Sequence, residues 1–161
     1  MLQRLPHVRD DEPARATRGG RRIRGEARTT VTIAPAAVDV AREFVDALAA
    51  RDYERLERCF APDVEFHAVV PGTGSFREQA GAAATAEQFR KWFDDAEPLE
   101  ILDWSCDVVV DRVRTSYRFA AREDGQWHVV EQQAYAAVSD SGIERLDLVC
   151  SGFRPVAERP G

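Results

Sequence analysis

The chain has 161 residues, 44% hydrophobic and 31% charged, with a formal net charge of −6, a composition that suits one globular domain rather than a fibrous or disordered chain. No apolar run reaches membrane-span length and the N-terminus lacks an apolar signal core, so no membrane partner is expected and a cytoplasmic setting is the default. Three cysteines, Cys59, Cys106 and Cys150, are an odd number without a CxxC pair, which argues against a disulfide framework and against a zinc site.

The charge is uneven. Residues 1–33 hold eight Arg against four acids (+4), whereas residues 34–161 hold fourteen basic against twenty-four acidic side chains (−10). The segment 1–33 is Arg/Gly-rich without periodic apolar residues and reads as a disordered basic arm. Its GGRRIRG stretch also suits contact with nucleic acid. A third reading places it before the true start, because Met1 is the only Met and a valine-type start codon would fit at Val31. The acidic remainder repels phosphate backbones, so nucleic acid is not expected as a partner of the domain. That domain is expected over 34–156, with 157–161 as a C-terminal tail.

Pro35 suits the first turn of a helix. Val38, Ala41, Phe44, Val45 and Leu48 then recur at helical spacing. Asp52 is an N-cap for a second helix, with Leu56, Cys59 and Phe60 inward and Pro62 as its stop. Val64, Phe66, Ala68 and Val70 alternate as one face of a strand. PGTGSFREQAGAAA (71–84) reads as loop, with Gly72 and Gly74 as hinges of a lid. Thr85 with Gln88 forms a capping box for a third helix that turns Phe89, Trp92 and Phe93 inward. Leu102, Trp104, Cys106 and Val108 alternate on the next strand; Val113, Thr115, Tyr117, Phe119 and Ala121 do so on the one after. Asp124-Gly125 marks a hairpin.

Two registers fit that hairpin. A two-residue turn pairs Arg118 with Glu131, and then sets arginines beside Leu148 and Cys150. A three-residue turn with Gly125 as a left-handed bulge pairs Tyr117 with Glu131 and Phe119 with Val129. The second is preferred because it keeps every Arg in solvent. With a turn at Asp140-Ser141, the inner face becomes Thr115, Tyr117, Phe119, Val129, Glu131, Gln133, Tyr135, Leu146, Leu148 and Cys150. The fold class is α+β: a cone of three helices packed on a curved antiparallel sheet.

The run AREFVDALAARDYERLERCFAPDVEFHAVV (41–70) and the closing WHVVEQQAYAAVSDSGIERLDLVCSGFRP resemble the SnoaL-like, nuclear-transport-factor-2-like proteins of bacteria, over roughly residues 36–154. The resemblance implies the cone fold, a small-molecule pocket and dimerisation through the outer sheet face, but no single chemistry. The ketosteroid isomerases of this fold use a Tyr on the first helix, an Asp base on the first strand and a protonated Asp in the sheet. Their Tyr position falls on Phe44, their base on Ala68 and their second Asp near Gln133, so that mechanism is not expected here. Polyketide cyclases of the family use an acidic pocket residue. The Asp-Arg-Asp set of its epoxide hydrolases cannot be assembled from the expected inner face.

Glu131 is therefore the candidate general acid or base, since desolvation in an apolar cone raises a carboxyl pKa. It could instead sit at the rim or bond Tyr117 or Gln133 structurally. Tyr117, Gln133, Tyr135, Trp104, Cys150, Phe44, Phe66 and Trp92 are the candidate ligand-binding residues, although aromatic residues at such spacing also build cores. Cys150 beside a carboxylate makes a poor thiolate and equally a small buried hydrophobe. His67 points away from Ala68, to solvent or an interface. No metal and no cofactor are expected. The expected function is binding, or cofactor-free acid/base conversion, of a small hydrophobic molecule; the alternative is a non-catalytic dimerisation or ligand-binding module with a side-chain-filled cone. Val130, Ala134, Ala136 and Val149 are expected outside, where an apolar sheet face would join a homodimer.

Overall fold

The structure is a computed structural model, and it describes residues 35–72 and 74–161. The basic arm therefore lies outside the described residues. Among the described residues, three helices, α1 (Pro35–Ala49), α2 (Tyr53–Glu57) and α3 (Ala82–Phe93), accompany seven strands. These are β1 (Phe60–Val69), β2 (Phe76–Ala80), β3 (Leu99–Val109), β4 (Arg112–Glu123), β5 (Gln126–Ser139), β6 (Gly142–Cys150) and β7 (Arg154–Val156). The sheet order is β2-β1-β6-β5-β4-β3, with β7 paired to the start of β5. All pairs are antiparallel except β1–β6. This is the expected α+β cone.

Local chemistry explains most of the boundaries. Asp52 caps α2 by accepting the Arg55 backbone N–H at 2.9 Å, as its position predicts. The helix is only five residues long because the chain turns into β1 at Phe60, so Pro62 belongs to the strand and is not a helix stop. Pro62 is tolerated there because the β1–β6 ladder is interrupted between Phe60 and Glu65, leaving no cross-strand bond for it to forfeit. The expected 71–84 loop is a hairpin instead. FREQA forms edge strand β2, and α3 starts at Ala82 rather than after Thr85. Thr85 is buried inside the helix, where its hydroxyl donates to the Gly81 carbonyl at 2.9 Å, so it does not act as the cap.

The hairpins set the face that each β5 residue presents. Asp124 (φ 49) and Gly125 (φ 83) both adopt left-handed backbone, the signature of a two-residue type I′ turn. Glu123 thus pairs with Gln126, Arg118 with Glu131 and Tyr117 with Gln132. The expected three-residue turn is wrong by one residue. The objection to the shorter turn, arginines beside Leu148 and Cys150, disappears because of a β-bulge in the next hairpin. Ser139 pairs with Gly142 and Val138 with Ile143, but Ala137 pairs with Arg145, so Glu144 is the extra residue. Past the bulge, Ala136 faces Leu146, Ala134 faces Leu148 and Gln132 faces Cys150. Every Arg of β4 stays outside, and all of β5 is turned over relative to the expectation.

The core lies between the inner sheet face and the helices. Phe44 of α1, Phe89 and Phe93 of α3, Phe66 of β1, and Tyr117 and Phe119 of β4 are each at most 1% exposed. Burial of each such ring is worth about 1.5–3 kcal/mol. The rings meet edge-on or tilted at centroid distances of 5.1–6.0 Å, which suits the quadrupoles of aromatic faces and edges. Among the described residues no helix is long and apolar enough to cross a membrane.

Candidate functional site

Because β5 is turned over, Glu131 stands on the outer face, exposed, and pairs with Arg118 at 3.2 Å. Its backbone N–H donates to the Ser151 hydroxyl oxygen at 2.8 Å. A carboxylate there is solvated and paired, so the reading of Glu131 as a desolvated acid/base inside the cone is corrected. Gln133 and Tyr135 share that outer face, with Tyr135 38% exposed, and they leave the list of interior ligands for the same reason. Tyr135 lies beside Arg114, whose guanidinium is also bonded to Asp107. Ala134 and Ala136, expected outside, are buried in the core, as is Val130.

The interior position belongs to Gln132, which is 1% exposed. The Tyr117 hydroxyl donates to its Oε1 at 2.6 Å, so a phenol and a carboxamide satisfy each other between β4 and β5. Burial holds the Tyr117 hydroxyl well above the ordinary phenol range, and neighbouring Cys150 acts in the same direction. Tyr117 therefore stays a neutral donor at physiological pH. The Asp124-Gly125 dipeptide was the signal that could have found Gln132, since it is the strongest short hairpin marker.

The remaining candidates fall on the inner face. Phe44 occupies the middle of α1 and stacks edge-on with Phe89 and Tyr117. Phe66 packs on Phe89 and on the half-buried Trp92. Trp104 lies opposite Tyr117 on the β3–β4 ladder, at the edge of the same core: its indole N–H donates to Thr115 Oγ1 at 3.1 Å and Arg42 of α1 lies 4.7 Å over its ring. Cys150 is half-buried, and its sulfur accepts the Gly152 N–H at 3.3 Å. The structure thus brings together Phe44, Phe66, Trp92, Trp104, Tyr117 and Cys150 around one core, and separates Gln133, Tyr135 and Glu131 from them.

Among the described residues the buried polar side chains are Thr85 and Gln88 of α3, Thr115 of β4 and Gln132 of β5, all uncharged. His67 faces out, as alternation from Ala68 requires, with Nδ1 3.2 Å from Asp147. Arg145 binds that carboxylate through two nitrogens at 2.8 and 3.0 Å, holding Asp147 below the usual carboxylate range. Among the described residues, no three His, Cys, Asp or Glu side chains converge as metal ligands.

Among the described residues, two of the surface clefts are lined by neither Tyr117 nor Gln132. One, of about 800 Å³, runs between α2 and the start of α3, along Phe60, Pro62 and Ala82. The other, of about 920 Å³, lies between the first turns of α1, the end of α2 and the β5–β6 turn.

Residues 41–145 match the family model of the SnoaL-like domain. Among solved structures, a candidate polyketide cyclase from Xanthomonas campestris pv. campestris is 18% identical with a TM-score of 0.57, over 70% of this chain and 88% of that one. An M. tuberculosis LEH-like epoxide hydrolase is 16% identical with a TM-score of 0.55, over 71% of this chain and 82% of the other. Bal32a, from a soil-derived mobile gene cassette, is 16% identical with a TM-score of 0.59, over 71% and 88%. At such identities the likeness is one of fold. No curated protein matches the chain.

Proposed function

This chain belongs to the SnoaL-like domain family, and on that premise we propose that it is a non-catalytic member, a homodimeric module whose cone is filled by its own side chains. The observation that carries this reading is the interior pair Tyr117–Gln132, bonded at 2.6 Å among aromatic rings at most 1% exposed. Acid/base turnover needs a group that can change charge near neutral pH. The carboxylate expected to do so stands in solvent against Arg118.

The assembly surface is the outer sheet face. Phe76, Val69 and Val149 form a row across β2, β1 and β6, at 73%, 42% and 59% exposure. Other rows of that face carry opposite charges side by side, Glu65 with Arg145 and Glu131 with Arg118, an arrangement that can complement itself across a two-fold axis. Ala134, being buried, plays no part. Three free cysteines suit a reducing cytoplasm.

A second reading, a small hydrophobic metabolite bound inside the cone, is favoured by one observation. Trp92, Cys150 and Phe153 are only half-buried where they meet the core, so a ligand could enter by displacing them. Sedimentation and native mass spectrometry of gently purified protein test both. The proposal expects a dimer carrying no small molecule, converted to monomer by Val149→Arg. A wild-type monomer removes the assembly role. A stoichiometric metabolite that Cys150→Trp expels establishes the second reading.

A further inference from the structure

The larger cleft is unused by that reading, and it lies at the opposite end of β6 from Cys150. We propose that it binds a small organic ammonium ion with an apolar body. Its floor is apolar: Val40 of α1, Val138 of β5 and Cys59 after α2, with Ala37 beside them. Val138 and Val40 are half-buried, so an apolar group laid on them removes more surface from water without unpacking the core.

The walls select the charge. Glu43 accepts both Arg55 Nε and Nη2, the latter at 2.6 Å, which ties up the guanidinium of Arg55. Arg58 lies close enough to Glu43 to lower its pKa, after the dominant Arg55 hydrogen bond. The two guanidiniums are thus balanced by one carboxylate at close range and face three more around the cleft, Asp39, Asp111 and Asp140. Asp111 lies 3.8 Å from Arg112. Among the described residues, Asp39 and Asp140 form no ion pair, and they come from α1 and the β5–β6 turn, on different sides of the opening. An anion would meet four carboxylates against two guanidiniums, one of which, Arg55, is tied to Glu43. A cation finds two uncommitted carboxylates above an apolar floor. The volume of about 920 Å³ is that of a small-molecule site.

Three size-matched probes, phenylbutylamine, phenylbutanol and phenylbutyrate, separate charge from hydrophobicity. Each is titrated into the full chain and followed by calorimetry and by ¹H–¹⁵N NMR shifts. The amine should bind at least about tenfold more tightly than the alcohol, and its affinity should fall as salt rises; the butyrate should not bind. Shifts should map to Val40, Asp140 and Gly142. Asp140→Asn, in an exposed turn, should weaken the amine by about threefold or more and leave the alcohol unchanged. Val138→Trp should fill the floor and abolish both. Equal binding of all three probes, amine binding untouched by either variant, or no amine binding at millimolar concentration overturns the proposal. The dimer and the filled cone stand or fall separately, because neither Asp140 nor Val138 lies on the outer face or against Tyr117.

Discussion

The Tyr117–Gln132 pair makes a quantitative prediction. Tyr117→Phe deletes only the hydroxyl, and it leaves the Gln132 Oε1 in a site where Gln132 is 1% exposed and water cannot replace the lost donor. An orphaned buried acceptor costs about 1–3 kcal/mol. Gln132→Leu orphans the phenol instead, at a similar cost. The double variant removes both polar groups and replaces them with carbon of nearly the same shape, so it should lie within about 1 kcal/mol of wild type. The coupling between the two positions should thus be at least about 1 kcal/mol, where independent sites couple by less than about 0.5. Urea unfolding followed by tryptophan fluorescence reads these differences, and the slope must stay constant for the comparison to hold. In melting temperature each single variant should lose about 5–10 °C. If Tyr117→Phe were neutral, or the double variant cost the sum of the singles, the hydroxyl and the amide would not be each other's partners. The inward orientation of Gln132, and with it the corrected β5 register, would then fail.

Further expectations follow from other sites. Gly142 has φ +110, and a Cβ there would lie 2.8 Å from the Cys59 carbonyl oxygen and 3.1 Å from the Phe60 carbonyl carbon; Gly142→Ala should therefore cost about 2 kcal/mol or more by thermal unfolding, and an unchanged melting temperature would contradict that geometry. Glu43 is held below its ordinary value of 4.5 chiefly by the Arg55 hydrogen bond. A depressed carboxylate stabilises above its unfolded pKa, and the benefit is lost as pH falls through the folded one. Glu43→Gln should thus be less stable than wild type at neutral pH, with the gap closing as pH drops below 4.5; a gap that persists in acid would deny the pair its electrostatic role. Burial pushes the Cys59 thiol up to about 11, and it donates to the Arg55 carbonyl. It should react with a thiol reagent at least about tenfold more slowly than half-buried Cys150, which peptide mapping of partially labelled protein can rank; equal labelling would place Cys59 at the surface.

The fold was legible because its signals were local. The helical spacing from Val38 to Leu48, the Asp52 cap and the alternation along β3 and β4 each depend on a few neighbouring residues, and all stand in the structure. What failed were features set by chain segments meeting at a distance. β2 is an edge strand whose burial pattern alternates only between exposed and intermediate, so FREQA shows no apolar period to read. The α3 N-terminus has Gly81 at φ 91 as its cap, with no side-chain hydrogen bond, so Thr85 offered the only visible capping signal although it lies one turn inside.

The candidate site shows the same division more sharply. β4, β5 and β6 follow in the expected order, and Tyr117, Phe66 and Cys150 stand on the expected face, although β1 begins at Phe60 rather than Val64. Side-chain direction on β5 hung on the sum of two turns, and a residue gained at one can be hidden by a residue gained at the other. Read as regular hairpins, the two turns had to agree on which face took the arginines, and only a three-residue turn at Gly125 satisfied that demand. The Glu144 bulge supplies the missing residue instead. With it, Asp124-Gly125 keeps the turn its sequence favours, Arg118 meets Glu131 in solvent, and Gln132 rather than Glu131 meets Tyr117. A bulge of one residue carries no compositional mark of its own. Here it decides whether β5 presents a carboxylate or a carboxamide to Tyr117.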